Sequence, residues 1–236
     1  MADRFFVTTL GHGDRLQLAG DEAHHLARVR RIAPGEHVQL FDGSGVECDA
    51  VVQEVSKREI VLAIVRRERV NRELPFSLTL GCVPPQGERI RWLIEKATEL
   101  GTTRFIPLVT ERASEQARGG DSEKMRRWVI EASKQCGRNV LMQIGEPMTW
   151  DAFLNAVPAD AARFLAMLAA EPISRRTHRG GESSVAVAIG PEGGFTEREV
   201  QLAIERGWIA VGLGARILRV ETAAIALLSH FTIQSS

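Results

Sequence analysis

The 236-residue sequence lacks an excess of charge of either sign, because it holds 30 lysines and arginines and 30 aspartates and glutamates. A strongly basic chain would indicate a nucleic-acid partner by its charge alone. Any such surface here must come from local clusters of basic residues. Apolar residues make up 44% of the chain, which is enough for a sizeable core and excludes a chain that is disordered throughout.

Cysteines are few, and long apolar runs are missing. Cys48, Cys82 and Cys136 lie far apart and form no Cys-x-x-Cys or Cys/His spacing, so the sequence predicts reduced thiols and no metal site. No segment reaches the roughly 18 uninterrupted apolar residues of a membrane span. The N-terminal residues, MADRFFVTTL, lack the apolar run of a signal peptide. These absences predict a cytoplasmic protein without a membrane partner.

Two patterns of secondary structure divide the chain. Residues 3 to about 72 form short apolar runs separated by turn residues, with one helix starting near Asp21, which predicts a small, closed or nearly closed β-barrel. The polar stretch 71–75 marks a boundary between domains 1–72 and 73–236. After it, strands alternate with helices, as in a parallel α/β sheet. Strands are predicted at 77–83, 104–109, 162–168, 185–189 and 208–213, and helices at 87–100, 121–136, from 196, and at 221–233.

Residues 189–195, with the sequence IGPEGGF, lie between a predicted buried strand and a helix that starts with a capping box. The three glycines allow a ligand to approach the backbone closely, and a helix start adds free N–H groups and a positive dipole end. In an α/β sheet, ligands bind at this carboxyl end of a strand. The alternative is a tight turn without a ligand. The spacing matches neither a dinucleotide fingerprint nor a P-loop.

Residues 213–223, with the sequence LGARILRVETA, connect a second strand to a second helix. Arg219 and Glu221 lie beside the apolar helix start, where an unpaired charge is costly. They either serve a site or pair with each other or with solvent.

Together the two segments closely resemble the RsmE family, the SPOUT-class methyltransferases that make 3-methyluridine in small-subunit ribosomal RNA. The resemblance covers essentially the whole chain. Its further motifs are Gln86-Gly87-Glu88-Arg89, Glu95–Gly101, Pro107–Arg112 and Gln135–Asn139. Near the N-terminus, His24-His25-Leu26 with Val29-Arg30-Arg31 is similar to the motif of the family's RNA-binding domain, although the family usually has leucine in place of Arg30.

The resemblance implies a PUA-like RNA-binding barrel followed by an α/β-knot domain with a deep trefoil knot. It also implies S-adenosylmethionine as the cofactor, held in a pocket formed by three loops. The expected cofactor residues are Leu168, Gly190, Pro191, Glu192, Gly193, Gly194, Leu213, Gly214, Ile217, Leu218, Arg219, Thr222 and Ala223.

The implied reaction is methylation of N3 of a uridine in 16S ribosomal RNA. N3 must lose its proton, and a neighbouring cation would stabilise the uracil anion as it develops. The candidate cations are Arg112, Arg138 and Arg219, and Glu221 or Glu111 is the candidate proton acceptor. For each arginine, a phosphate contact or a structural ion pair is the alternative.

Local clusters of basic residues predict contacts with RNA phosphates, which set affinity but carry little sequence information. The expected RNA-binding residues are His25, Arg28, Arg30, Arg31, Arg138, Asn139, Arg175 and Arg176. Two rival functions are an RNA-binding module that has the knot fold without catalysis, and a metabolic enzyme that uses the glycine turn for phosphate.

The final predicted helix has apolar side chains around most of its circumference, at 223–228 and 231. A surface helix needs only one apolar stripe, so this helix must be covered on more than one side. Since two-fold pairing is the commonest oligomeric arrangement, the sequence predicts a homodimer. A helix central to the core of one subunit is the alternative.

Overall fold

The computed structural model describes residues 3–20, 23, 32–56, 59–113, 121–168, 170–173 and 183–233. The chain divides into two compact units. The first consists of Met1–Glu73 with Ser133–Leu141, and the second of Leu74–Ala132 with Met142–Ser236.

The first unit contains a five-stranded sheet among its described residues. Its strands are β1 (Asp3–Phe6), β2 (Arg15–Ala19), β3 (His37–Phe41), β4 (Val46–Val55) and β5 (Glu59–Arg69), in the spatial order β1-β3-β4-β5-β2. β1 lies parallel to β3, and the other neighbours are antiparallel. Side chains that alternate along the strands, such as Leu40, Ile60 and Leu62, are fully buried and form the core of this half-barrel. The helix predicted near Asp21 lies outside the described residues.

One buried carboxylate in this unit is compensated by two arginines. Arg4 donates a hydrogen bond of 2.8 Å to Glu47, and Arg72 donates to both carboxylate oxygens. Burial alone would raise the pKa of Glu47, but the hydrogen bonds and charges of the two arginines outweigh it and lower the pKa below its ordinary value.

The second unit is built on a parallel sheet. Its elements are β6 (Ser77–Cys82), α1 (Glu88–Glu99), β7 (Arg104–Val109), α2 (Ser122–Cys136), which ends within the first unit, β8 (Gln143–Ile144), β9 (Met148–Thr149), α3 (Trp150–Ala156), β10 (Ala162–Ala166), β11 (Ser184–Ile189), α4 (Glu197–Glu205), β12 (Ile209–Val211) and α5 (Val220–Ile233). The strand order is β12-β10-β11-β6-β7-β8, and β9 also pairs with β7. All these ladders are parallel, as the alternating pattern predicts.

The helix ends follow local signals in the sequence. The Asp121 carboxylate accepts the backbone N–H of Lys124 at 3.0 Å and caps α2. Thr196 and Glu199 form the predicted capping box of α4. The sequence interpretation missed α3, although the hydroxyl of Thr149 caps its N-terminus. Among the described residues, no helix is long and apolar enough to cross a membrane.

Gly81 allows α3 to pack tightly against β6, which lies between β11 and β7. A Cβ atom at this position would lie 2.4 Å from the ring of Phe153, which is fully buried.

We therefore expect Gly81→Ala to lower the free energy of unfolding by about 1–3 kcal/mol through overpacking. Denaturant titration of the variant and the parent measures this difference. Gly13→Ala is the matched control, since a Cβ there meets nothing nearer than 3.8 Å, and its effect should stay below about 0.5 kcal/mol. Equal stability of Gly81→Ala and the parent would contradict this packing of α3.

Candidate functional site

A cavity of about 290 Å³ opens at the carboxyl ends of β10, β11 and β12, which are neighbours in the sheet. Three chain segments form its wall: 166–168, the glycine loop (defined here as residues 190–195), and the 213–218 segment. Val220 and Ala223 at the start of α5 complete the lining. The segments converge because parallel strands end at the same edge of a sheet, which is where ligands bind in such folds.

The glycines in the wall bring bare backbone to the cavity. Gly194 and Gly214 have φ angles of +68° and +108°, which L side chains rarely adopt, and a Cβ on either would project into open space. At Gly190, a Cβ would lie 3.0 Å from the ring of Phe195, so the ring would have to shift to admit a larger residue.

Two large apolar side chains of the lining are unusually exposed. Leu168 is 56% and Ile217 is 83% accessible to solvent. Apolar surface beside a cavity is typical of a site that a ligand with an apolar face covers.

Aromatic residues fix the glycine loop to the core. The ring centroid of Phe195 lies 4.5 Å from that of Trp150, which in turn packs against Phe153 and Trp208. The indole N–H of Trp150 donates to the Glu199 carbonyl oxygen at 2.9 Å, so the ring is held in place.

The segment after β7 fastens the glycine loop from outside the cavity. Arg112 donates hydrogen bonds to the carbonyl oxygens of Gly193, at 2.8 Å, and Phe195, at 3.4 Å. The backbone N–H of Glu111 donates to the Glu199 carboxylate at 2.9 Å. Arg112 therefore supports the loop through main-chain contacts.

Two carboxylates and one arginine lie together next to the cavity. Arg89, in the first turn of α1, places Nη1 at 3.5 Å from a Glu192 oxygen and at 3.8 Å from Oε2 of Glu221. The Glu221 side chain is only 9% exposed, and its Oε2 has no hydrogen-bond partner among the described residues. Burial, followed by the negative charges of Glu221 and Glu192, raises the pKa of the Cys82 thiol, which therefore stays neutral.

Most of the predicted cofactor residues line this one cavity. They are Leu168, Gly190, Pro191, Glu192, Gly193, Gly194, Leu213, Gly214, Ile217, Leu218 and Ala223. Arg219 and Thr222 are exposed and do not line it. Glu221 approaches Arg89, whereas the structural alternative stated for it in the sequence analysis was a pair with Arg219 or with solvent. Arg89 was missed as a site residue because its two partners are far away in sequence.

Arg138 and Asn139 are buried in the first unit. Arg138 is 5% exposed, and its guanidinium donates to both carboxylate oxygens of Glu73. Asn139 is fully buried and donates to the carbonyl oxygens of Gly45 and Val70. These contacts favour the structural ion pair that was the alternative for Arg138, and they give Asn139 structural contacts as well.

The other predicted RNA-binding residues lie outside the described part of the chain. They are His25, Arg28, Arg30, Arg31, Arg175 and Arg176.

Comparison with known proteins identifies the family. The profile of an RNA methyltransferase domain matches residues 72–232, and that of an RNA methyltransferase PUA domain matches residues 18–65. Ribosomal RNA small subunit methyltransferase E of Bacillus subtilis is 30% identical over 92% of this chain and 90% of its own. The protein of the same name from Aquifex aeolicus is 32% identical over 95% and 96%. The chain belongs to the family of ribosomal RNA small subunit methyltransferase E.

A solved member of the family adds a structural comparison. The crystal structure of ribosomal RNA small subunit methyltransferase E from Neisseria gonorrhoeae, bound to S-adenosylmethionine, superimposes with a TM-score of 0.88. The two chains are 30% identical, and the match covers 97% of this chain and 96% of the other. The family resemblance found in the sequence is therefore confirmed.

The contacts of Arg112 generate a prediction for the glycine loop. Arg112→Ala removes two hydrogen bonds to loop carbonyls, so the loop should open more often. We expect its amide hydrogens to exchange at least about fivefold faster, the factor that corresponds to about 1 kcal/mol for one of the two lost hydrogen bonds. Hydrogen–deuterium exchange of peptides spanning 190–197, read by mass spectrometry, measures this change.

Arg198→Ala is the matched control, because Arg198 is 88% exposed and its ion pair with Glu111, at 3.9 Å, is long. In Arg198→Ala, the amide hydrogens of the glycine loop should exchange at the parental rate. Parental exchange in Arg112→Ala would show that the loop does not depend on this arginine.

Proposed function

We propose that this protein uses S-adenosylmethionine to methylate N3 of a specific uridine in the 16S ribosomal RNA of the small ribosomal subunit, giving 3-methyluridine. The observation that carries this proposal is the glycine-walled cavity at the ends of β10, β11 and β12, in a chain of this methyltransferase family. A ribosomal RNA substrate would place the reaction in the cytoplasm.

The residues of the cavity fit the cofactor. The exposed apolar side chains of Leu168 and Ile217 offer surfaces for a flat adenine ring. Bare backbone at Gly194 and Gly214 leaves room for close contact with the polar edges of adenine and ribose. Glu192, the acidic residue of the lining, supplies negative charge that attracts a cationic cofactor.

When bound, S-adenosylmethionine supplies a methyl group on a positively charged sulfur. The neutral thioether that remains after the transfer is a good leaving group. The chain must then orient the uracil and stabilise its anion. Glu221 is the proposed proton acceptor, because one of its buried oxygens has no hydrogen-bond partner among the described residues. Arg219 is the proposed cation, since it is exposed and its guanidinium has no hydrogen-bond partner in the described structure.

Arg112 and Arg138 are weaker candidates for a chemical role. The first donates to loop carbonyls, and the second pairs with Glu73. The proposed RNA surface is formed by the PUA-like domain, residues 1–72, through Arg28, Arg31 and their neighbours. We propose that this domain has the barrel fold typical of PUA domains, of which the five described strands form one half.

For the methyltransferase domain, residues 73–236, we propose the deep trefoil knot of SPOUT enzymes. Its support is a close approach of two loops. The segment after β10 lies beside Gly212, which donates to the Glu171 carbonyl at 2.8 Å and accepts from the N–H of Ile173 at 3.0 Å. A Cβ on Gly212 would lie 2.4 Å from the carbonyl oxygen of Ala170. A threaded chain requires such close backbone contact.

Calorimetric titration with S-adenosylmethionine tests the cofactor site. The parent should bind with measurable heat, and Gly193→Val should weaken binding by at least about tenfold. A Cβ at Gly193 meets the stem of Arg112, at 3.6 Å, so the variant should fold. The two methyl groups of valine should displace Arg112 from the loop carbonyls that it binds and so shift the cavity wall. Gly193→Ala adds less volume and should bind with intermediate affinity.

Two outcomes would contradict the proposal. A parent protein that releases no heat would favour the rival interpretation, an RNA-binding module with this fold and no catalysis. Parental affinity in Gly193→Val would show that this turn is structural.

We also propose that the protein is a homodimer. One face of α5 is buried within its own unit, namely Val220, Glu221, Ala224, Leu227, Leu228 and Phe231. Apolar surface remains on the other side, where Ala226 is exposed and Ile233 is 72% exposed. Trp92 of α1, the helix that packs beside α5, is 43% exposed. A second copy that covers this surface would explain its composition.

Sedimentation at micromolar concentration should then show a species of twice the 26.0 kDa chain mass. Ala226→Glu should produce a folded monomer with little methylation activity, because the site of one subunit would border the other. Ala152→Glu, at an exposed position of α3, is the matched control and should remain dimeric. A parent that sediments at 26.0 kDa would end the dimer proposal, and a fully active monomer would end the claim that the site needs its neighbour.

A further inference from the structure

Arg89 is a charged residue for which its own helix provides no reason. It lies in the first turn of α1, where the positive end of the helix dipole disfavours a cation. The acidic charge that suits this end of the helix is already supplied by Glu88, the residue before it. The benefit of this arginine must therefore come from its contacts outside the helix.

Those contacts are two carboxylates on separate elements. Glu192 belongs to the glycine loop and is 63% exposed, whereas Glu221 belongs to α5 and is 9% exposed. Both lie nearest to the same nitrogen, Nη1, at 3.5 Å and 3.8 Å. Without that cation the two carboxylates would repel each other, and the buried one would have no compensating charge within 4.0 Å among the described residues.

We propose that Arg89 is a positioning residue of the cofactor site. It holds Glu192 in the cavity wall and Glu221 at the start of α5, so that the glycine loop and α5 keep the spacing that the cofactor requires. This inference rests on the proposed function, since it assigns Arg89 to the site that binds S-adenosylmethionine. It differs from a role in the stability of α1, because the contacts of Arg89 connect three elements around the cavity.

The contact geometry predicts which replacement rescues the role. One nitrogen serves both carboxylates, so the interaction is that of a point charge and not the planar, two-pronged contact for which arginine is specific. Lysine places one compact charge at the end of a flexible chain and should satisfy both partners. Glutamine, which is neutral, should not.

The experiment compares Arg89→Gln and Arg89→Lys with Arg91→Gln by calorimetry with S-adenosylmethionine and by thermal unfolding. Arg91 is the matched control, because it lies on the same helix, pairs with Glu95 one turn away at 2.7 Å, and does not line the cavity. We expect Arg89→Gln to raise the Kd for the cofactor by at least about tenfold. Arg89→Lys should stay within about threefold of the parent, and Arg91→Gln should match the parent.

A double variant separates positioning from folding. Arg89→Gln with Glu221→Gln removes the uncompensated buried charge, so cofactor affinity should return towards that of the parent. Turnover should stay low in this variant, because the proposed proton acceptor is missing. If the loss instead came from a contact of Arg89 that does not involve Glu221, the double variant would bind the cofactor as weakly as Arg89→Gln, and that result would contradict the inference.

Three further results overturn the inference while the proposed function stands: parental affinity in Arg89→Gln, a tenfold loss in Arg89→Lys, or an equal loss in Arg91→Gln. If Arg89→Gln fails to fold, the affinities of Arg89→Lys and of the double variant show whether Arg89 positions the cofactor site. A parent protein that binds no S-adenosylmethionine would instead refute the proposed function itself.

Discussion

The parallel alignment of β10, β11 and β12 is the constraint on which the whole site depends. The ladder places Leu165 opposite Ala188 and Ala166 opposite Val211, so the three strands end at one edge of the sheet. Three segments that are far apart in sequence are thereby brought to a single cavity. If one strand shifted its register by a residue, the buried apolar side chains would change faces and the loops would no longer converge.

The site combines an interior of bare backbone with charged side chains that hold it from outside. Glycines in two of the wall segments leave space for a ligand, but they also raise the conformational entropy that is lost when the loops become ordered. Arg112 offsets this cost by bonding to loop carbonyls, and the stacked ring of Phe195 anchors the same loop to Trp150. On the other side, Arg89 holds the two acidic groups together. Preorganisation of the cavity by such outer contacts would reduce the entropy lost when a cofactor binds.

Local patterns in the sequence predict much of the second unit, since periodicity and capping act over a few residues. β7 was predicted at the observed residues 104–109, and the capping box of α4 lies where Thr196 and Glu199 indicated. Long-range pairings could not be predicted in this way. Arg138 meets a carboxylate 65 residues away, and Arg89 meets one 103 residues away. No spacing rule connects such partners, so the sequence located the glycine loop but not Arg89, which pairs with Glu192 of that loop and with Glu221.

The proposed activity is the formation of 3-methyluridine in the RNA of the small ribosomal subunit, with Glu221 as the proton acceptor. Mass spectrometry of nucleosides from small-subunit RNA, in cells that lack the protein, measures the product of this activity. We expect 3-methyluridine to be lost, the parent chain to restore it, and Glu221→Gln to restore much less. Unchanged 3-methyluridine in the deleted cells would show that this chain does not make it.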